Sequence, residues 1–395
     1  MYLKKISDRI VLNSLKNISY GNIKFINYDG SIKILGSKKS EKTATLKLIK
    51  PGLTFEIINK GSIGLAESYM RGDFETDNLT NLIEIAAKNI GKVHKISGVL
   101  DFPIINYFKS FFIKNTKRKS KENIAKHYDL GNEFFSLWLD KTLTYSSAIF
   151  EDKQNDLENA QLNKYKKLSN LVKPKSGDKI LEIGCGWGGF GEFIGKNYDV
   201  KLDCITISKK QYEFAKNRIY KNGLNEKVKI KMLDYRDVNT KYNSIASIEM
   251  IEAVGQNYLP GYFKKIKDSL HQNGIAAIQA ITIDEKIYNR YKMKTDFIQK
   301  YIFPGGFLPS IKFMENIIKK NDLKLEKINT YSDDYARTLA TWRKNFLGAW
   351  EKISPLGFDE YFKRMWEFYL SYCEGGFKSR NINLIQFSMS NRYSS

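Results

Sequence analysis

Along residues 123–395, short apolar runs alternate with stretches in which apolar side chains recur every three or four positions. The runs at 179–183, 201–206, 228–233, 244–249 and 275–281 read as buried strands, and the intervening 155–171, 190–198, 209–222 and 259–271 carry helical spacing. Strands that alternate with helices predict an α/β domain built on a doubly wound, mainly parallel sheet. Ligands of such sheets bind at the carboxyl ends of the strands.

Upstream the pattern changes. Residues 22–28 and 31–35 alternate apolar and polar positions about Asp29-Gly30, a strong hairpin signal, and 44–49 adds a further strand. Spacing becomes helical over 55–69, turns at 70–74, and resumes in a second helix near 81–89. Residues 1–18 read only as an amphipathic helix. Residues 1–90 are therefore expected to form a small α+β domain, with 123–395 as the larger one.

Between them, 91–122 is a basic, aromatic-rich connecting segment. Ile104, Ile105, Tyr107, Phe108, Phe111, Phe112 and Ile113 adjoin Lys109, Lys114, Lys117, Arg118, Lys119 and Lys121. On a membrane surface the apolar groups would enter the acyl boundary while each cation gained roughly 1 kcal/mol from anionic headgroups. The same pattern fits an interdomain helix with a buried apolar face and solvated lysines. Periodicity leaves both readings open.

Composition narrows the class. A chain of 395 residues can bury a large core and split into two domains. No apolar run approaches the roughly 20 residues a membrane-spanning helix needs, and no signal-peptide pattern follows the start. A cytoplasmic location is expected. Cys185, Cys204 and Cys373 form neither a disulfide framework nor a metal-ligand pattern. The net charge of +22 favours a polyanionic partner, although abundant Lys, Ile and Asn also reflect a compositional bias. Arginine, the residue of bidentate base readout, is scarce, so an anionic membrane surface is expected rather than nucleic acid.

Candidate chemistry concentrates at 179–190, KILEIGCGWGGF, where an apolar strand meets a glycine-dense turn that opens a helix. Glycines here let backbone N–H groups approach a ligand closely. A dinucleotide fingerprint would want an acidic residue about 20 positions later. That neighbourhood reads Cys204-Ile205-Thr206-Ile207-Ser208-Lys209-Lys210-Gln211, without a carboxylate. Glu182 before the first glycine fits the opening motif of class I S-adenosylmethionine-dependent methyltransferases better. A plain strand-to-helix turn is the bland alternative.

Neighbouring stretches raise the specificity. They are His127-Tyr128-Asp129-Leu130-Gly131-Asn132-Glu133-Phe134, Leu143-Thr144-Tyr145-Ser146-Ser147-Ala148-Ile149-Phe150, Met232-Leu233-Asp234-Tyr235-Arg236-Asp237, Ser247-Ile248-Glu249-Met250-Ile251-Glu252-Ala253-Val254-Gly255, Ile278-Gln279-Ala280-Ile281-Thr282-Ile283 and Tyr301-Ile302-Phe303-Pro304-Gly305-Gly306. In this order, from about Phe55 to the C-terminus, the chain resembles the cyclopropane fatty acid synthase family, which methylates double bonds in phospholipid acyl chains. The resemblance implies a seven-stranded-type methyltransferase sheet, a lipid-engaging N-terminal domain marked by Gly64-Leu65-Ala66-Glu67-Ser68-Tyr69-Met70, and a tail over 301–395 that caps a substrate channel. It also implies S-adenosyl-L-methionine as cofactor, an unsaturated acyl chain as substrate and a peripheral place on the inner face of the membrane. A homodimer is the expected assembly.

For the cofactor, the resemblance implies Tyr145 and Ser146, then Glu182, Gly184 and Gly186, then Thr206, Ile207 and Gln211, and finally Tyr235 and Arg236; His127 is a candidate contact. For catalysis it implies a bound bicarbonate as base, in a cage that falls on Ser147, Glu252, Gln279, Ile281 and Tyr335. Ser147 stands where the family has cysteine, and Gln279 where some members have histidine. A hydroxyl and an amide both donate to an anion's oxygens, yet the change puts the base, and so ring closure against a methyl or methylene branch, in doubt. Cys373 matches another family cysteine, but alkene methylation needs no thiolate, so a structural role competes. A cationic transition state wants aromatic faces, and Tyr145, Trp187, Tyr235, Phe303 and Tyr335 are candidates. A small-amine N-methyltransferase and a lipid- or nucleic-acid-binding protein without catalysis are the competing functions.

Overall fold

The computed structural model describes residues 18–37, 40–96, 116–117, 119–120, 122–123, 130–152 and 156–391, without the side chains of 90–96. The helix expected at 1–18, most of the 91–122 segment and His127 lie outside the described residues. By packing, the chain divides into two units: residues 1–112, 293–302 and 339–381 form the first, and 113–292, 303–338 and 382–395 the second.

In the first unit, β1 (Asn22–Ile26) and β2 (Ile32–Gly36) pair antiparallel, with Asn27 N–H donating to the Ser31 carbonyl across the Asp29-Gly30 turn. β3 (Thr43–Leu48) lies parallel to β1, and the short β4 (Phe74–Glu75) closes the sheet in the order β2-β1-β3-β4. The single helix expected at 55–69 is two, Leu53–Lys60 and Ser62–Met70. Gly61 breaks it at φ 58, a left-handed conformation that costs glycine little. The break folds the second helix onto the first so closely that a Cβ on Gly64 would lie 2.1 Å from the Glu56 carbonyl oxygen.

The stretch expected to belong wholly to the larger domain contributes here too. The helix Glu360–Lys378 packs on Leu79–Ile96 and Ser62–Met70. Buried Glu374 gathers Thr80, Arg343 and Lys378, and Arg364 lies 4.3 Å from the Tyr69 ring centroid. The Thr80–Glu374 and Tyr69–Arg364 contacts join residues nearly 300 apart in sequence, which helical periodicity cannot announce.

The second unit holds a seven-stranded sheet in the order β10-β11-β9-β8-β5-β6-β7. Its strands are β5 (Lys179–Ile183), β6 (Lys201–Thr206), β7 (Val228–Met232), β8 (Tyr242–Ile248), β9 (Leu270–Ile283), β10 (Lys324–Thr330) and β11 (Ile382–Ser390). β5 to β9 run parallel; β11 is antiparallel to both neighbours. The mixed α/β class and mainly parallel sheet are as expected. The order reverses at β5, which lies between β6 and β8, so the glycine turn after β5 sits at the topological switch point.

Helices cover both faces because the strands are apolar on both. Leu168, Phe190 and Ile194 pack with Ile180, Leu202 and Val228 in one core, and Tyr262, Phe263 and Ile266 pack with Leu181, Ile245 and Ile278 in the other.

Candidate active site

The carboxyl edge of β5 to β9 collects nearly every residue singled out above. After β5, Gly184 (φ 82), Gly186 (φ 52) and Gly188 (φ 84) are left-handed, and the N–H groups of Gly184 and Cys185 both donate to the Ile205 carbonyl at 3.0 Å. The loop is thereby pinned to the end of β6. A Cβ on Gly186 would meet nothing within 4 Å. That open cradle, lined by backbone, is what a nucleoside-bearing ligand needs at a switch point.

At the end of β6, the Thr206 hydroxyl donates to Gln211 Oε1 at 3.0 Å, and both are buried; Ile207 is half-buried beside them. Past β7, Asp234 grips the Arg236 guanidinium at 2.7 Å and caps the turn that carries Tyr235. Glu182 lies deeper. Its carboxylate packs against Cys204 and the helix at Gly191, where burial pushes it up to about 7.

Aromatic residues gather beside the loop. Phe135 lies 5.2 Å from Tyr145 and 5.1 Å from Trp187, and Tyr145 lies 6.4 Å from Phe303. Three of the five aromatic candidates thus share one cluster. Tyr235 packs instead on Tyr262, at 5.2 Å.

Past β8, two carboxylates follow in quick succession. Glu252 Oε1 accepts from the Ile281 N–H at 2.5 Å, while its buried Oε2 has no hydrogen-bond partner among the described residues. Burial and the neighbouring charge of Glu249 push Glu252 up to about 8, so it carries its proton at neutral pH.

Glu249 is the hub that the motif reading passed over. Oε1 accepts from the Ser147 backbone N–H at 2.8 Å and from Gln279 Nε2 at 2.7 Å; Oε2 accepts from the Tyr335 hydroxyl at 2.5 Å. The Ser147 hydroxyl itself turns away and donates to the Ala148 carbonyl. Gln279 is oriented by Gln386, whose Nε2 donates to Gln279 Oε1 at 2.9 Å. A free bicarbonate does not fit this arrangement. Of its expected cage, the Gln279 and Tyr335 side chains already serve Glu249, the Ser147 hydroxyl serves the Ala148 carbonyl, and the Ile281 N–H serves Glu252.

Lys164 completes the cluster. Fully buried, it donates to the Ser146 hydroxyl oxygen at 2.8 Å, and burial pulls its ammonium down to about 7 against the opposing charges of Glu249, Asp140 and Glu182. One signal for it was legible: it stands between Ala160 and Leu168 on the apolar stripe of its helix, four residues from each. Cys373 lies in the first unit, on the helix Glu360–Lys378. Burial and the nearby Asp296 raise its thiol, so it stays protonated.

A doubly wound parallel sheet, a glycine cradle at its switch point and an aromatic-lined acidic cluster beside it define a class I methyltransferase. The chain belongs to the mycolic acid cyclopropane synthetase family, whose model matches residues 115–387. It is similar to the cyclopropane-fatty-acyl-phospholipid synthase of Escherichia coli (strain K12), 35% identical over 87% of each chain. It is as similar to the tuberculostearic acid methyltransferase UfaA1 of Mycobacterium tuberculosis, 35% identical over 83% of this chain and 79% of that one. Among solved structures, the mycolic acid cyclopropane synthase CmaA1 complexed with SAH and CTAB superposes with a TM-score of 0.64 at 26% identity, covering 68% of this chain and 98% of that one. The chain is an S-adenosylmethionine-dependent methyltransferase of the cyclopropane-fatty-acyl-phospholipid synthase type.

Proposed function

We propose that the protein converts a double bond in the acyl chain of an unsaturated phospholipid into a cyclopropane ring. The observation that carries this is the contact between cradle and acid cluster. A Cβ on Gly184 would lie 2.8 Å from Met250 Cγ, so the glycine loop abuts the residue that follows Glu249. Bound S-adenosyl-L-methionine supplies an electrophilic methyl group. The Gly184–Gly186 turn, Thr206–Gln211 and the Asp234-bound Arg236 are the residues that would hold it, with Tyr145 and Ser146 on the facing segment. The Phe135, Tyr145, Trp187 and Phe303 cluster offers faces that steady positive charge, worth roughly 0.5–2 kcal/mol each when water is excluded.

Mass spectrometry of lipids from a host expressing the chain tests this. Unsaturated phospholipids should gain one methylene unit, and proton spectra should show ring protons. Unchanged lipids would refute the reading. A methyl branch is the second reading, favoured by the equal identity to a relative named as a tuberculostearic acid methyltransferase; ring protons in the product would exclude it.

The substrate's place defines the partner surface. No helix among the described residues is long and apolar enough to cross a membrane. With the net charge of +22 and the apolar and basic segment near 104–121, this supports peripheral work on an anionic bilayer, on the inner face of the membrane. Reversing charge at Lys117, Arg118 and Lys119 should weaken sedimentation with anionic vesicles and flatten its salt dependence; equal binding would assign the segment to packing between domains. Sedimentation equilibrium reads the expected homodimer.

A further inference from the structure

Closing a cyclopropane ring after methyl addition requires a base. Addition to the double bond leaves a cation one carbon from the new methyl group. One methyl C–H bond must then break, its electron pair forming the third ring bond while the proton leaves. The resemblance assigns that proton to a bound bicarbonate, but the donors of its cage are already taken.

We propose that the Glu249 carboxylate is that base, an internal replacement for the bicarbonate of the family. Three observations carry the inference, which rests on the function proposed above. First, three residues assigned to the anion, Ser147, Gln279 and Tyr335, donate to one carboxylate and satisfy it at 2.5–2.8 Å. Each carboxylate oxygen has two lone pairs, so three donors leave room to accept a proton.

Second, Glu249 pays for its place in backbone conformation. It holds φ 48, a left-handed geometry that is uncommon and strained for a residue with a Cβ. Glycine would adopt it freely, so strain is retained at a position whose side chain reaches the cage.

Third, the surrounding groups suit a base. Glu249 is half-buried, and burial raises its carboxyl while Tyr335, Gln279, Lys164 and the Ser147 N–H oppose the rise. A carboxyl whose proton affinity is raised by burial is a stronger proton acceptor than a solvated one. Glu252, the other carboxyl beside it, already carries its proton at neutral pH and so does not serve as the base. The proton taken up by Glu249 leaves it neutral, and release to solvent resets the site.

The test uses the full-length protein, vesicles of phosphatidylglycerol with cis-monounsaturated chains, and buffer stripped of carbon dioxide. Wild-type turnover should change less than twofold when bicarbonate is restored. Glu249→Gln should lower turnover on the order of 10²–10⁴-fold, the range for a positioned base, while calorimetry shows S-adenosyl-L-methionine affinity unchanged. Glu249→Gly relieves φ 48 and opens the cage. Carbon-13 bicarbonate should bind it and not the wild type, and added bicarbonate should restore its turnover at least tenfold. Wild-type turnover that rises tenfold with bicarbonate, or Glu249→Gln turning over as fast as wild type, would overturn the inference while leaving the proposed function standing. Wild type that forms no methylated lipid would instead bring down the proposed function.

Discussion

The Tyr335 phenol donates to Glu249 Oε2 at 2.5 Å across 86 residues of sequence. Tyr335 rides the first turns of the helix Ser332–Gly348, and Glu249 follows the last residue of β8. The bond stabilises the charged carboxylate more than the neutral acid. Tyr335→Phe should therefore move the acid limb of the pH–rate profile to higher pH, because Glu249 then protonates more readily. Maximal turnover should fall about tenfold, on the scale of a lost charge-assisted hydrogen bond of about 1.5–3 kcal/mol. An unmoved acid limb would show that the phenol does not control Glu249.

Lys164 acts on the same carboxylate by charge. Lys164→Met removes the only cation that opposes the desolvation of Glu249 in the described cluster and strands the Ser146 hydroxyl. The acid limb should again shift upward. Denaturant midpoints should fall by an amount equivalent to about 1–3 kcal/mol, the cost of a buried polar group without its partner. Lys164→Arg, which keeps the charge, should restore the limb more than the stability.

Gly186→Val should abolish S-adenosyl-L-methionine binding by calorimetry. It would place a branched side chain in the open space of the cradle at φ 52. No protein atom lies within 4 Å of the added Cβ, so equilibrium denaturation should show a loss of about 1–2 kcal/mol, the strain of a left-handed residue. Unchanged affinity would reduce the loop to a turn.

Glu252 links stability to pH. Its folded-state value of about 8 lies above the 4.5 of a free glutamate, so the folded protein keeps a proton that the unfolded chain releases. Stability from this group is full below about pH 4.5 and is lost as pH rises toward 8. Glu252→Gln does not ionise, so its melting temperature should gain on the wild type as pH is raised from about 5 to about 8. A constant difference across that window would refute the assignment.

Gly64→Ala tests the helix crossing in the first unit. The added Cβ would meet the Glu56 carbonyl at 2.1 Å, with backbone on both sides of the contact. Equilibrium denaturation should show a loss of about 1–3 kcal/mol, the usual cost of overpacking. Wild-type stability would mean that the helices separate without cost.

The sequence by itself determined what is local. Apolar period and turn chemistry placed β5 and β6 with their observed bounds, the Asp29-Gly30 hairpin, the glycine loop and the α/β class, because strand and helix periods are written in neighbouring residues. Motif order carried the family and brought Gln279, Ile281, Glu252 and Tyr335 into view. Only the tertiary structure decided which donors those groups serve. Ser147, Gln279 and Tyr335 reach Glu249 across 102, 30 and 86 residues, and Gln386 orients Gln279 across 107. Such partners depend on how β9 registers against β8 and β11, which brings three donors to one carboxylate, and on the burial that keeps its neighbour protonated. Neither register nor desolvation is a property of a residue's neighbours in sequence, so the chain's periodicity could place both glutamates at a strand's end without distinguishing their roles.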